Sequence, residues 1–200
     1  DNLAEHPTYP LVRERPGIAR DQPVENRLFP TWHIVGALAV ILGLADLEGF
    51  AVVVIPNAAD LPPNALEAIR EYVRGGGSIF ADQRSSLVDR NGARSFALGD
   101  VFGVELRGDP VTGVRNNYIE VDHEHPIGAG FAGATRIIGG TETLPVALRP
   151  GASAPVRFVP PYPDLPMEEV YPRPGDRNPA VVTNRYGAGS AVYCAFNLGE

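Results

Sequence analysis

Apolar and polar positions follow two different rhythms between Ala51 and Phe80. Ala51-Val-Val-Val-Ile55 is an unbroken run closed by Pro56-Asn57, the pattern of a parallel strand buried on both faces. After Pro62-Pro63, residues Leu66, Ile69, Tyr72 and Val73 recur at helical spacing, while Glu67, Arg70, Glu71 and Arg74 take the opposite side. That pattern predicts an amphipathic helix ending near Arg74. Asn64 and Glu67 have the spacing of a capping box. Gly75-Gly-Gly77 offers the left-handed backbone that ends a helix, and Ser78–Ala81 reads as a second short buried strand. The whole is a strand–helix–strand crossover with its two strands as parallel neighbours.

The rest of the pattern is more broken. Residues 1–30, punctuated by Pro7, Pro10, Pro16, Pro23 and Pro30, read as an extended arm or linker, and residues 31–200 as the folded domain. Thr31–Leu42 is apolar and open between helix and strand, with a break at Gly36. Asp89-Arg-Asn-Gly92 is a turn signal, and Phe96–Phe102 reads as a short helix stopped by Gly103. Strands are expected at Val104–Arg107, Asn117–Val121, Arg136–Ile138, Glu142–Leu148 and Pro155–Val159. Ala180–Arg185 and Ser190–Phe196, joined through Tyr186-Gly-Ala-Gly189, predict a hairpin.

Composition narrows the chemistry. The 200 residues carry a net charge of −7, which argues against a nucleic-acid partner, since phosphate binding needs a positive face. No lysine occurs, so Schiff-base chemistry, a Walker-type phosphate loop and a Ser–Lys dyad are excluded. One cysteine, Cys194, leaves no internal disulfide and no cysteine-based zinc cluster. The longest apolar run, Ile34–Leu42, is shorter than the ~20 residues that span a bilayer. With no signal peptide visible, no membrane association is expected and the cytoplasm is the expected compartment. A chain that opens on Asp1 is expected to be processed or part of a longer protein.

From Asp46 onward the chain resembles a known family. Leu47–Asn57, the helix, and Glu71–Phe80 are similar to class I glutamine-amidotransferase-like domains, and more narrowly to the trimerisation domain of family 42 β-galactosidases and related bacterial glycoside hydrolases. Ser86–Arg94, Leu98–Val104, His125–Ile127, Val159–Pro166 and Tyr186–Tyr193 extend the resemblance in order. It implies a flavodoxin-like α/β fold: a doubly wound, mostly parallel sheet with helices on both faces and a β-rich C-terminal part. It also implies an accessory domain without the barrel that carries the sugar-cleaving carboxylates. The expected role is oligomer assembly or packing against a catalytic barrel, with no cofactor.

Glutamine amidotransfer, the chemistry such a fold suggests, needs a thiolate at the elbow after Ser78–Ala81. The chain there reads Asp82-Gln-Arg-Ser-Ser86, and Cys194 lies in the last strand. Ser85 or Ser86 as nucleophile with His123 or His125 as base lacks the flanking glycines of a nucleophile elbow. Asp122-His-Glu-His125 offers two weak metal candidates, His123 and His125, and reads more simply as a surface turn before Pro126. Glu105, Glu120, Asp122 and Glu124 are too many and too unplaced to nominate as a glycosidase pair. Ligands of open α/β sheets bind beyond the strand carboxyl ends, which nominates Asn57, Asp82, Gln83, Arg84 and Ser85 as a crevice for a small hydrolase substrate or a carbohydrate. The Pro-rich loop, with Tyr162, Leu165, Met167 and Tyr171, is the candidate contact surface.

Overall fold

The computed structural model describes residues 47, 49–88, 91–115, 117–131, 133–160 and 177–198. The arm at 1–30, the apolar stretch Thr31–Leu42 and the interface candidates Tyr162, Leu165, Met167 and Tyr171 lie outside these residues.

Strand β1 (Val52–Ile55) leads through helix α1 (Pro63–Arg74) to strand β2 (Ser78–Asp82). The two strands pair in parallel, Val53 opposite Ile79 and Ile55 opposite Ala81, as the crossover pattern requires. Helix α1 buries Ala65, Leu66, Ile69 and Val73. The capping box does not form. Pro62 is the N-cap and makes no side-chain bond, because Pro63, pre-set for helical φ and lacking an N–H, takes the first helical position instead of Asn64. At the other end Gly76 N–H donates to Val73 O (3.1 Å) and Gly77 N–H to Tyr72 O (2.9 Å), a Schellman closure made possible by φ 118° at Gly76.

A short helix α2 (Gly99–Phe102), stopped by left-handed Gly103, precedes β3 (Val104–Leu106) and β4 (Tyr118–Val121). Then come β5 (Arg136–Ile138), β6 (Val146–Leu148), β7 (Ser153–Phe158), β8 (Pro179–Tyr186) and β9 (Gly189–Cys194). The helix expected at Phe96–Phe102 is shorter, and the strand expected at Glu142–Leu148 begins only at Val146, with Thr143 making isolated bridges to Val111 and Phe196.

Seven strands form one sheet in the order β1-β2-β9-β8-β7-β4-β5, and β3 pairs with β6 in a small second sheet. Only β1–β2 and β2–β9 are parallel, and every pairing from β9 out to β5 is antiparallel. The sheet is therefore mixed α/β rather than mostly parallel. The two-residue Gly187-Ala188 turn of the β8–β9 hairpin forces the reversal, since such a connection joins only antiparallel strands.

Both described α-helices share one core. Leu66, Ile69 and Val73 of α1 join Val101 and Phe102 of α2 over Val53, Ile55, Ile79, Ala81, Ala191 and Tyr193. A second cluster on Ile119, Val121, Val156, Val181, Cys194 and Phe196 is built from strands. Among the described residues no helix covers the opposite face of β1. Val52 and Val54 there are 54% and 49% exposed, so the strand expected to be buried on both faces is buried on one.

Candidate functional site

The three parallel strands end together. Asp82, last in β2, is the register partner of Cys194, last in β9, and β1 closes beside them at Ile55. Asn57, Gln83, Arg84 and Ser85 follow directly, so the structure gathers the crevice residues that the strand-end rule nominated. Asn57 adopts φ 50°, a left-handed conformation that asparagine tolerates. Its N–H donates to Asp82 Oδ1, and its Oδ1 accepts the Arg84 N–H at 3.2 Å. The Ser85 hydroxyl donates to Ile55 O at 2.7 Å and lies 3.4 Å from Asp82 Oδ1. Gln83 N–H donates to Cys194 O at 2.7 Å.

Two further partners close the crevice. The Arg84 guanidinium engages Glu142 Oε1, with Nε at 3.0 Å, across 58 residues of sequence. The Tyr193 hydroxyl donates to Gln83 O at 2.6 Å while its ring stacks on Phe102 and meets Phe96 edge-on. An acid in an irregular stretch and a tyrosine in a buried strand carry no local signal of such pairings.

The electrostatics follow from burial. Asp82 is 7% exposed. Burial raises its carboxyl above the ordinary range, against the opposing pull of the Asn57 and Ser85 hydrogen bonds. Burial, and then the Asp82 charge, push the Cys194 thiol up to about 12. Burial likewise holds the Tyr193 phenol well above its usual range. Gln83 Nε2 is buried and has no hydrogen-bond partner among the described residues.

The two serines considered as nucleophiles are withdrawn from solvent. Ser85 and Ser86 are fully buried, and Ser86 Oγ accepts the Leu98 N–H at 3.1 Å. His123 and His125 sit in the turn after β4, four strands away from β2. Strand β4 runs antiparallel to β2, through the alternation of β9, β8 and β7, so this turn emerges at the opposite end of the sheet from Ser85. At ~4.8 Å per strand the lateral separation alone is about 19 Å, which rules out a dyad of Ser85 with His123 or His125. The turn is held by its own bonds: Asp122 Oδ1 accepts the Glu124 N–H, and His125 Nδ1 accepts the Ile127 N–H. Among the described residues no three His, Cys, Asp or Glu side chains are grouped to hold a metal ion.

A separate open cleft of about 220 Å³ is lined by Asn117, Thr143, Phe158, Val159, Pro160 and Asn178, among others. Pro160 and Asn178 flank the Pro-rich loop, and Asn117 Nδ2 is already bonded to Gly139 O and Gly140 O.

No protein-family profile and no curated protein matches the chain. Solved structures do. A β-galactosidase from Bacillus circulans sp. alkalophilus superposes with TM-score 0.59 at 17% identity, over 76% of this chain and 21% of that one. A cold-adapted β-galactosidase from Rahnella sp. R3 gives TM-score 0.57 at 22% identity over the same shares, 76% and 21%. A cytoplasmic protein from Salmonella typhimurium gives TM-score 0.56 at 18% identity, over 80% of this chain and 68% of that one. The chain thus spans about a fifth of the length of the β-galactosidases it matches (21%), and it shares its fold with a part of them. The resemblance read from the sequence is borne out at the level of fold. No helix among the described residues is long and apolar enough to cross a membrane.

Proposed function

We propose that this chain is a non-catalytic, amidotransferase-like accessory module of a glycoside hydrolase of the β-galactosidase kind, acting in oligomer assembly or by packing against a catalytic barrel in the cytoplasm. The observation that carries the reading is the state of the strand-end crevice. Its serines are buried, its thiol is pushed up to about 12 by burial, and its carboxylate is bonded to Asn57 within the fold. The thiolate, not the thiol, attacks, so a crevice in this state holds the sheet ends together and offers no reactive atom to solvent. The shared fold with a segment of two β-galactosidases supplies the enzymatic context.

The competing reading, a small hydrolase or sugar-binding protein using the crevice, needs Asp82 or Arg84 free for a ligand. Asn57 and Glu142 engage them instead. Two measurements separate the readings. Light scattering is expected to show a defined oligomer of the chain, or a complex with the barrel of its parent enzyme. A monomer that does neither overturns the assembly role. Chromogenic glycosides, esters and glutamine are expected to be left intact. Turnover that disappears in a folded Asp82→Asn variant would overturn the non-catalytic half.

A further inference from the structure

The face of the parallel strands opposite the helices carries an apolar row without cover. Registration places Val54, Phe80 and Val192 side by side on β1, β2 and β9, and Val52, Ser78 and Ser190 in the next row. Phe80 and Val192 are half-buried because they lean on the strand-built cluster around Cys194 and Phe196. Exposure then grows outward across the sheet to Val54 and Val52. Parallel strands are ordinarily covered on both faces, and β1 is also terminal in the strand order. The small-residue row does not compete for water as a charged edge would, since Ser78 Oγ and Ser190 Oγ bond to each other at 3.2 Å.

The geometry points to one occupant: the apolar segment from Thr31 to Leu44 of this same chain, packed across Val52, Val54, Phe80 and Val192. Three facts argue for it over a second copy or a foreign partner. The chain outside the described residues on this side runs through residue 46 and ends immediately before β1, whose first anchored neighbour is buried Leu47. That stretch contains Trp32 and the run Ile34–Leu42, an apolar content that needs cover of its own. Reach suffices, because Leu47 is fixed in the helix-side core beside the edge strand and the five residues from it back to Leu42 extend to about 17 Å. The three strands to be crossed are only about 10 Å wide, the breadth of one packed segment. The inference stands whether or not the module assembles an enzyme.

Trp32 is the single tryptophan, so intrinsic fluorescence reads this contact directly on the full chain. Acrylamide quenching of Trp32 is expected to be far weaker in the native chain than in urea. In Val54→Asp it is expected to rise to the urea level, and in the control Val111→Asp, at an exposed valine elsewhere, to stay native. Val54 is half exposed, so the described domain accommodates a carboxylate there, and unchanged near-ultraviolet tyrosine dichroism verifies its fold. Hydrogen exchange of residues 34–42 gives a second readout, protected in the wild type and released in Val54→Asp. Trp32 as quenchable in the native chain as in urea overturns the inference. So does protection that vanishes on dilution in step with dissociation seen by light scattering, which assigns the face to a second copy. Protection unchanged in Val54→Asp overturns it as well.

Discussion

Asp82 and Cys194 are register partners at the carboxyl ends of adjacent parallel strands, and both are buried where an open α/β sheet would present a ligand. Burial together with the Asp82 charge pushes the thiol up to about 12. At about pH 8 the reactive thiolate is therefore a trace species. Thiol reagents are expected to leave native Cys194 unmodified and to label it in step with unfolding in urea. Rapid stoichiometric labelling of the folded chain would contradict this.

The Asp82 carboxyl makes a pH prediction of definite sign. Burial, outweighing the Asn57 and Ser85 hydrogen bonds, raises it above the unfolded value. Between the two values the native state holds more protons than the unfolded chain, so stability falls as pH rises through that window. The contribution is complete below the unfolded carboxylate range and lost above the raised native value. Asp82→Asn keeps an oxygen to accept the Asn57 N–H and cannot ionise. It is expected to raise Tm at neutral pH and to leave it nearly unchanged at about pH 3. Calorimetry at the two pH values checks this, and a lower Tm at neutral pH would refute the burial argument.

Asp100 shows the opposite sign. Burial alone would raise it, but Arg70 overrides that through Nε at 3.1 Å and Nη2 at 3.2 Å, and its carboxyl lies below the usual range. The pair ties α1 to α2, and Arg70 Nη2 also donates to Ala97 O. Its stabilisation is present above the unfolded carboxylate range and fades as pH falls through the depressed native value. Arg70→Met is expected to cost about 1–2 kcal/mol at neutral pH, less than for a fully buried pair because Asp100 is partly exposed. Arg70→Lys is expected to recover little, since the two-point geometry needs a guanidinium. Urea denaturation of both variants tests this.

What was legible in the sequence was local. The Ala51–Ile55 run and the helical spacing of Leu66, Ile69 and Val73 gave the crossover, and the turn at Gly187 gave the hairpin. Face coverage was not legible. A β-branched run says strand, but whether Val52 and Val54 are covered depends on what packs there. The capping box at Asn64 failed because a proline at the first helical position displaces the polar side chain that follows it from the cap. The mixed sheet followed from connections: one helical crossover makes a parallel pair, and the hairpin and meandering strands make antiparallel ones. At the site the rule about strand ends named Asn57, Asp82 and Arg84, and the fold brings the latter two within hydrogen-bond reach of Asn57. The contacts from Glu142 and Tyr193 arise from distant segments, so spacing along the chain held no trace of them.

The tip of the β8–β9 hairpin leaves no room for a side chain at Gly189. Gly189 lies under the end of α1, and a Cβ there would stand 2.1 Å from Val73 O and 2.3 Å from Gly77 O. Both clashes are with backbone, so no side chain can swing aside. The same approach lets Ala188 N–H donate to Arg74 O at 3.0 Å and Ser190 N–H to Gly77 O at 3.2 Å, which fastens the helix terminus to the hairpin. Relieving the clash means parting those bonds. Gly189→Ala is expected to destabilise the chain by about 1–3 kcal/mol, the range of overpacking changes, with the added loss of the two bonds pushing toward the upper end. Gly130→Ala is the matched control, since nothing lies within 4 Å of its added Cβ and its φ is not left-handed; it is expected to fall within about 0.5 kcal/mol of the wild type. Urea midpoints measured side by side decide the matter: equal losses at the two glycines would mean that α1 does not rest on the hairpin as described.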